Sequence, residues 1–387
     1  MNENTATRVQ RSKALQQPEW PDLAVVSRVR QALAGRPALV RPEDLTALRH
    51  LLAEVAQGRA QIVQAGDCAE DPAQCTAHHV RRKSSLIDAL ARAMAEGTGQ
   101  PVVRVGRLGG QFAKPRSGTV EVVEDRALPV YRGHLVNGPD PTPEARRPDP
   151  SRILSCHTAA TAVMAELDRG SPEPHRRLWT SHEALLLDYE LPLLRQLPDG
   201  RHYLGSTHWP WIGERTRQPD GAHVELLSSV VNPVACKVGP DAEPYDLIEL
   251  CTRLDPDRVP GRLTLIARLG ADTVRTVLTR LVQAVRAAGH PVIWLCDPLH
   301  GNTVTGPAGR KTRLVSAVER EVTGFRETVQ AAGGTAGGLH LETTPDDVRE
   351  CVDDLRDAFD APQSSLCDPR LNASQAHRVV AAWTAHR

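Results

Sequence analysis

Residues 263–297 read LTLIARLGADTVRTVLTRLVQAVRAAGHPVIWLCD. The stretch opens with a strand-like run, Leu263–Ala267, stopped by Arg268. From Thr273 to Ala288, Val274, Val277, Leu278, Leu281, Val282 and Val285 recur at helical spacing, one face of a helix laid against a sheet. Val292–Leu295 is a second apolar run, stopped by Asp297 and, beyond it, His300. Strand, helix and strand in so short a span make a β–α–β unit, and chains of such units build parallel sheets.

The alternation continues on both sides. Strand-like runs stand at Ala60–Ala65, Pro101–Gly106, His202–Ser206, Val234–Cys236, Gly338–Leu341 and Ser364–Leu366, which with the two above makes eight. Helices are expected over Cys75–Glu96, Tyr245–Leu254, Thr312–Ala331 and Pro345–Phe359. Segment 111–200 begins Pro- and Arg-rich and is expected to turn helical over Ile153–Leu167 and again over His182–Leu197. Two stripes precede the first strand, at Pro21–Gly35 and from Pro42 to Gly58, whereas residues 1–19 read as disordered or partner-dependent. The expected architecture is α/β: an N-terminal helical extension over 1–58 that caps the barrel floor and builds a subunit interface, then a (β/α)₈ TIM barrel over 59–387. A doubly wound open sheet is the competing arrangement.

What stops the strands matters more than what fills them. The first run ends at Asp67 and Cys68 and the second at Arg107; later ones lead to Glu214 and Arg215, Lys237, Arg268, Asp297 and His300, Glu342, and Asp368. A parallel barrel gathers the C-terminal ends of its strands on one face, so these residues are expected to share one site. Cys68, His300, Glu342 and Asp368 form a mixed soft and hard donor set, which suits Mn²⁺, Fe²⁺, Co²⁺ or Zn²⁺ rather than Mg²⁺ or Ca²⁺. Arg107, Lys114, Arg116, Arg215, Lys237 and Arg268 offer planar forks and point charges for two anionic groups in one pocket. Taken singly, each residue also has a plain structural reading, such as a core thiol or a solvated basic loop.

Bulk properties narrow the class. Basic and acidic residues balance, 47 against 47, which argues against a general polyanion binder. Aromatics are 3%, too few for a base-stacking platform. None of the eight cysteines forms a CxxC pair, so no zinc knuckle is indicated. Residues 1–20 lack an apolar signal core and no apolar run has the length of a membrane span, so a cytoplasmic protein that contacts neither membrane nor nucleic acid is expected.

Longer strings carry a resemblance. They are Gln64-Ala-Gly-Asp-Cys-Ala-Glu70, Arg107-Leu-Gly-Gly-Gln-Phe-Ala-Lys-Pro-Arg-Ser117, Thr180-Ser-His-Glu-Ala-Leu-Leu-Leu-Asp-Tyr-Glu190, Trp211-Ile-Gly-Glu-Arg-Thr-Arg217, Asn232-Pro233 with Lys237-Val-Gly-Pro240, Cys296-Asp-Pro-Leu-His-Gly-Asn-Thr303 and Cys367-Asp-Pro-Arg-Leu-Asn372. In this order they resemble the type II (plant-type) 3-deoxy-D-arabino-heptulosonate 7-phosphate (DAHP) synthases, over residues 20–387.

The resemblance implies a TIM barrel and a transferase. It would condense phosphoenolpyruvate with D-erythrose 4-phosphate and water, giving DAHP and phosphate at the entry to the shikimate pathway. It implies a divalent metal, Mn²⁺ first and Co²⁺, Fe²⁺ or Zn²⁺ next, on Cys68, His300, Glu342 and Asp368. Phosphoenolpyruvate falls to Arg107, Glu214, Arg215, Lys237 and Arg268, with Lys237 and Glu214 in catalytic roles. Erythrose 4-phosphate falls to Lys114, Pro115, Arg116 and Ser117. A homodimer or higher homo-oligomer is expected.

Two departures stand out. His134 in Tyr131-Arg-Gly-His-Leu-Val-Asn-Gly138 replaces an acid of the family, which motivates an alternative acceptor, an amino- or imino-erythrose 4-phosphate. The short connection between Arg152 and Ser181 leaves no room for the helical hairpin that many members insert, so feedback inhibition by Trp and Phe is expected to be weak or absent. The short form resembles members serving secondary metabolism. A non-catalytic regulatory homologue is a reading of another class, and the intact donor and cation sets oppose it. Oxidation of Cys367 with Cys68 to a disulfide is expected to displace the metal.

Overall fold

The computed structural model describes residues 5–123, 126–171, 173–306, 309–358 and 364–385. Eight parallel strands close into a barrel in chain order. They are β1 (Gln61–Gly66), β2 (Val102–Arg107), β3 (Leu178–Glu183), β4 (Trp209–Ile212), β5 (Val234–Val238), β6 (Leu263–Ala267), β7 (Ile293–Cys296) and β8 (Thr335–Glu342). β8 pairs back onto β1, with Gly66 opposite Glu342 on one side and opposite Arg107 on the other.

Side chains alternate between the two faces of each strand. Val63, Ala65, Cys236, Leu265, Trp294 and Leu339 point outward and join the large core under the helices. Ile62, Val103, Val105, Trp179, Trp209, Trp211, Ala235, Ile266, Ile293 and Leu295 fill the barrel. Counting on in twos from these inward positions reaches Gln64, Arg107, Ser181, Glu183, Lys237, Arg268 and Asp297. The interior is therefore apolar below and ionic at the C-terminal rim, set by period 2 alone.

The helices follow from local signals. α1 (Thr5–Arg11) buries Val9 and pairs Arg8 with Glu225, 2.6 Å away. α2 (Leu23–Ala34) is capped by the Asp22 side chain. α3 (Pro42–Ala56) starts on a proline, which suits a first helical turn. Its Leu48, Leu51, Leu52 and Val55 plug the barrel floor. α4 (Ala77–Thr98) is capped by Thr76 and stopped by Gly99 at φ +69°, where glycine carries no strain. α5 (Arg152–Leu167), α6 (Ala222–Ser228), α7 (Pro244–Leu254), α8 (Val274–Ala287), α9 (Val315–Ala331) and α10 (Ala373–Thr384) complete the shell. Among the described residues no helix is long and apolar enough to cross a membrane.

Five expectations are corrected. His202–Ser206 is not a barrel strand: His202–Leu204 forms an antiparallel hairpin with Leu194–Gln196 outside the barrel. The continuous helix expected over His182–Leu197 is absent; Leu178–Glu183 is β3, and Leu187–Glu190 makes one helical turn followed by a 3₁₀ turn at Leu191–Leu193. The inward face of β3 turns polar at Ser181 and Glu183, which hides its strand period. β4, Trp-Pro-Trp-Ile, hides behind a proline that usually argues against a sheet interior.

At the C-terminal end, Ser364–Leu366 forms no strand, and Pro345–Phe359 forms no helix beyond a turn at Leu355–Ala358; Phe359 lies outside the described residues. There Glu350 pairs with Arg370 and Val352 bridges Leu314, tertiary contacts that override helical periodicity. Finally, residues 5–19 are not structureless: they form α1 and dock on their own barrel through Arg8, Lys13 and Gln16. Val29 and Leu33 of α2 and the stripe of α3 pack inside the chain, whereas Leu23 at the start of α2 is exposed.

Candidate active site

The rim holds a cavity of about 380 Å³ lined by most of the residues singled out from the sequence: Arg107, Lys114, Pro115, Arg116 and Ser117 on one side. Glu214, Arg215, Lys237, Arg268, His300 and Asp368 line the other. Cys68 and Glu342 sit beneath it, both buried.

One donor atom each from Cys68, Glu342 and Asp368 lies within 4.8 Å of the others. His300 Nε2 is 3.3 Å from Glu342 Oε1, so the fourth predicted donor adjoins the same cluster. Asp368 comes from the loop before α10 rather than from a strand end, and its backbone N–H donates to Cys68 Sγ at 3.3 Å. One thiol, one imidazole and two carboxylates at this spacing fit a borderline divalent ion. Burial opposes ionisation of Glu342, but His300, Arg313 and Arg107 outweigh it and hold the carboxyl well below its usual range.

His300 is aimed by a residue that sequence reasoning left unassigned. Asp297 accepts from His300 Nδ1 at 2.9 Å and from Lys237 Nζ at 2.9 Å. The bond at Nδ1 turns Nε2 towards Glu342, the usual arrangement behind a metal-binding imidazole. The signal was present in Cys296-Asp-Pro-Leu-His300, an acid three residues before the histidine.

The cations are held as firmly. Arg107 donates to His340 Nε2 at 3.0 Å and to Glu342 at 3.2 Å. His340 Nδ1 donates to Gln64 at 2.6 Å, and burial together with Lys237 and Arg107 keeps its imidazole neutral, well below the ordinary value. Arg107 and Lys237 both lie over the Trp211 ring, 5.4 and 5.9 Å from its centroid. Burial, aided by Arg107, pulls the Lys237 ammonium down despite Asp297. Lys114 Nζ is 3.2 Å from Asp368 Oδ2, and Arg215 donates to Ser117 Oγ at 2.7 Å, which ties the two anion loops together.

The loops themselves are built on two close approaches. Glu70 accepts from the backbone N–H groups of Gly109, Gly110 and Gln111 and so shapes the turn after β2. A side chain at Gly110 would collide with the His182 ring, 2.0 Å from its Cβ position. A side chain at Gly213, the inward position above Trp211, would collide with Glu183 in the same way. Glu214 is fully engaged: Oε1 accepts from Arg217 at 3.0 Å and Oε2 from the Gly239 backbone at 2.6 Å.

From outside, the N-terminal segment braces the rim. Gln16 Oε1 accepts from the Arg116 backbone at 2.8 Å, and Gln17 contacts Leu185 and Leu187. His134 is not among the cavity-lining residues; it packs edge-on against Tyr131, with Nε2 3.8 Å from Asp71.

Comparison with known proteins bears on this geometry. A family model described as the class-II DAHP synthetase family matches residues 4–171 and 168–383. The chain is similar to a probable phospho-2-dehydro-3-deoxyheptonate aldolase of Pseudomonas fluorescens, 53% identical over 390 positions, covering 99% of this chain and 98% of that one. It is similar to phospho-2-dehydro-3-deoxyheptonate aldolase of Mycolicibacterium smegmatis, 38% identical over 422 positions, covering 94% and 90%. The latter alignment is longer than the 387 residues here, so it carries gaps on this side. A truncated 3-deoxy-D-arabino-heptulosonate 7-phosphate synthase from Thermotoga maritima is similar at a TM-score of 0.41 and 16% identity, over 83% of this chain and 84% of that one.

Proposed function

Since the chain belongs to the class-II DAHP synthetase family, a family of transferases, we propose that it condenses phosphoenolpyruvate with D-erythrose 4-phosphate and water to give DAHP and phosphate. The observation that carries the reading is the juxtaposition of the Cys68–Glu342–Asp368 cluster with Arg107 and Lys237 at one end of the barrel.

Phosphoenolpyruvate carries a carboxylate and a phosphate, and Arg107, Arg215, Lys237 and Arg268 supply the charge to bind both. Lys114, Arg116 and Ser117 take the phosphate of the sugar, with Pro115 stiffening the loop between them. A divalent cation on Cys68, His300, Glu342 and Asp368, manganese first, would supply Lewis-acid polarisation of the aldehyde oxygen. C3 of phosphoenolpyruvate then bonds the aldehyde carbon, and Lys237 gives a proton to the forming hydroxyl. Glu214, fixed by Arg217 and Gly239, stays in place as an anion that stabilises the positive charge growing at C2.

We further propose that the chain divides into an N-terminal extension, 1–58, and a catalytic barrel, 59–387, and assembles as a homodimer or higher homo-oligomer. It would work in the cytoplasm, where phosphorylated sugars are held.

The deciding experiment follows phosphoenolpyruvate consumption and phosphate release by chelator-stripped protein, with erythrose 4-phosphate, before and after Mn²⁺ is restored. Turnover that needs both substrates and the metal is expected. Absence of turnover with all three present overturns the proposal.

A further inference from the structure

Four carboxylates line the cavity, Glu121, Glu183, Glu214 and Asp368. Glu121 is paired with Arg116 and Arg146. Both oxygens of Glu214 are taken, and Asp368 belongs to the donor cluster. Glu183 is different. It is 8% exposed, and among the described residues its Oε1 has no hydrogen-bond partner.

Its position is built rather than incidental. Glu183 ends β3 on the inward face, and its backbone N–H donates to Gln111 Oε1 at 2.9 Å. Oε1 lies 2.0 Å from where a Cβ on Gly213 would stand, so the carboxylate fills room left by a missing side chain at the rim. Lys237, Lys114, His300 and Arg107 face it from β5, the loop after β2, the loop after β7 and β2 itself. A buried acceptor with no partner costs about 1–3 kcal/mol, a cost that a ligand donating to it in the cavity would remove.

We propose that Glu183 is a catalytic residue, the acceptor of the proton from the water that adds to C2 of phosphoenolpyruvate. This deepens the synthase reading and rests on it. Formation of the C3–aldehyde carbon bond uses the enol π electrons and leaves C2 electron-poor. The water oxygen bonds C2 while one O–H bond breaks; its electron pair stays on oxygen and the proton passes to Glu183. When the C2–O bond to phosphorus-bound oxygen breaks, its pair leaves with phosphate, which takes the proton from Glu183. The remaining hydroxyl becomes the C2 carbonyl, and its proton restores Lys237.

Burial pushes the Glu183 carboxyl up, against the pull of the surrounding cations. Below its pKa the group is protonated and cannot accept, so the acid limb of the rate profile should lie above the ordinary carboxylate range.

The test compares wild type with Glu183→Gln and Glu183→Asp for bound Mn²⁺, phosphoenolpyruvate affinity by isothermal titration calorimetry, and kcat against pH. For Glu183→Gln, metal content and affinity should stay within about threefold of wild type while kcat falls by roughly 10²–10⁴ and the acid limb disappears. Glu183→Asp should recover part of the rate with a displaced limb. Should Glu183→Gln fail to fold, the aspartate variant decides: a displaced limb supports the proposal and an unchanged profile overturns it. A Glu183→Gln enzyme with a near-normal rate, or one that loses phosphoenolpyruvate binding along with turnover, also overturns it. If wild type itself turns nothing over, the synthase reading has failed instead.

Discussion

Asp297 sets two functional groups with one carboxylate, accepting from Lys237 and from the His300 ring. Burial opposes its ionisation, and His300 and Lys237 reverse that, holding it well below the usual range. Asp297→Ala should free the imidazole to rotate and leave Lys237 without its counter-ion. We expect Mn²⁺ affinity to fall by roughly 10–100-fold, measured by competition with a chromophoric chelator. An unchanged affinity would show that packing alone aims His300. At this scale the sequence was informative about residues that end strands in recognisable strings, such as Cys68, Lys237 and Glu342. It placed Asp297 at a strand end without its two partners and was silent on Glu183, because an acid looks the same in a string whether it is paired, orphaned or solvated.

The N-terminal segment shows what an element adds to a site it does not enter. Lys13 accepts from Ala222 at the start of α6, and Gln16 accepts from Arg116 in the proposed acceptor loop. Gln16 holds φ +61°, a conformation that costs a non-glycine residue about 1 kcal/mol or more. Gln16→Gly would keep that backbone at no strain while removing the side-chain acceptor. KM for erythrose 4-phosphate should rise about fivefold, the worth of one hydrogen bond, with KM for phosphoenolpyruvate unchanged. Equal effects on both constants would mean that the brace acts on the whole rim. The segment was opaque in sequence because its contacts are single polar groups with no period, whereas α8 announced itself through a stripe from Val274 to Val285.

For the whole molecule, the connection from α5 to β3 matters most. It runs from Asp168 to Arg177, and among its described residues the one short helix is the 3₁₀ turn at Pro174–Arg176. Nothing of the size of a helical hairpin is inserted there among the described residues. Trp or Phe at sub-millimolar concentration should leave the initial rate within about twofold, since an effector acts only through the coupling free energy of a site that binds it and this connection offers none. Strong inhibition by either would place an effector site elsewhere. By itself the sequence determined the β–α alternation and the anion-binding, metal-suited chemistry at the strand ends, because periods of 2 and 3.6 and the residues that interrupt them are local properties. The tertiary structure alone decided that Leu178–Glu183 and Trp209–Ile212 are the third and fourth staves, that Asp368 reaches Cys68 from a loop, and that Glu183 is left unpaired. Each of those depends on which distant segment lies alongside, and barrel closure, unlike periodicity, is settled only by long-range pairing.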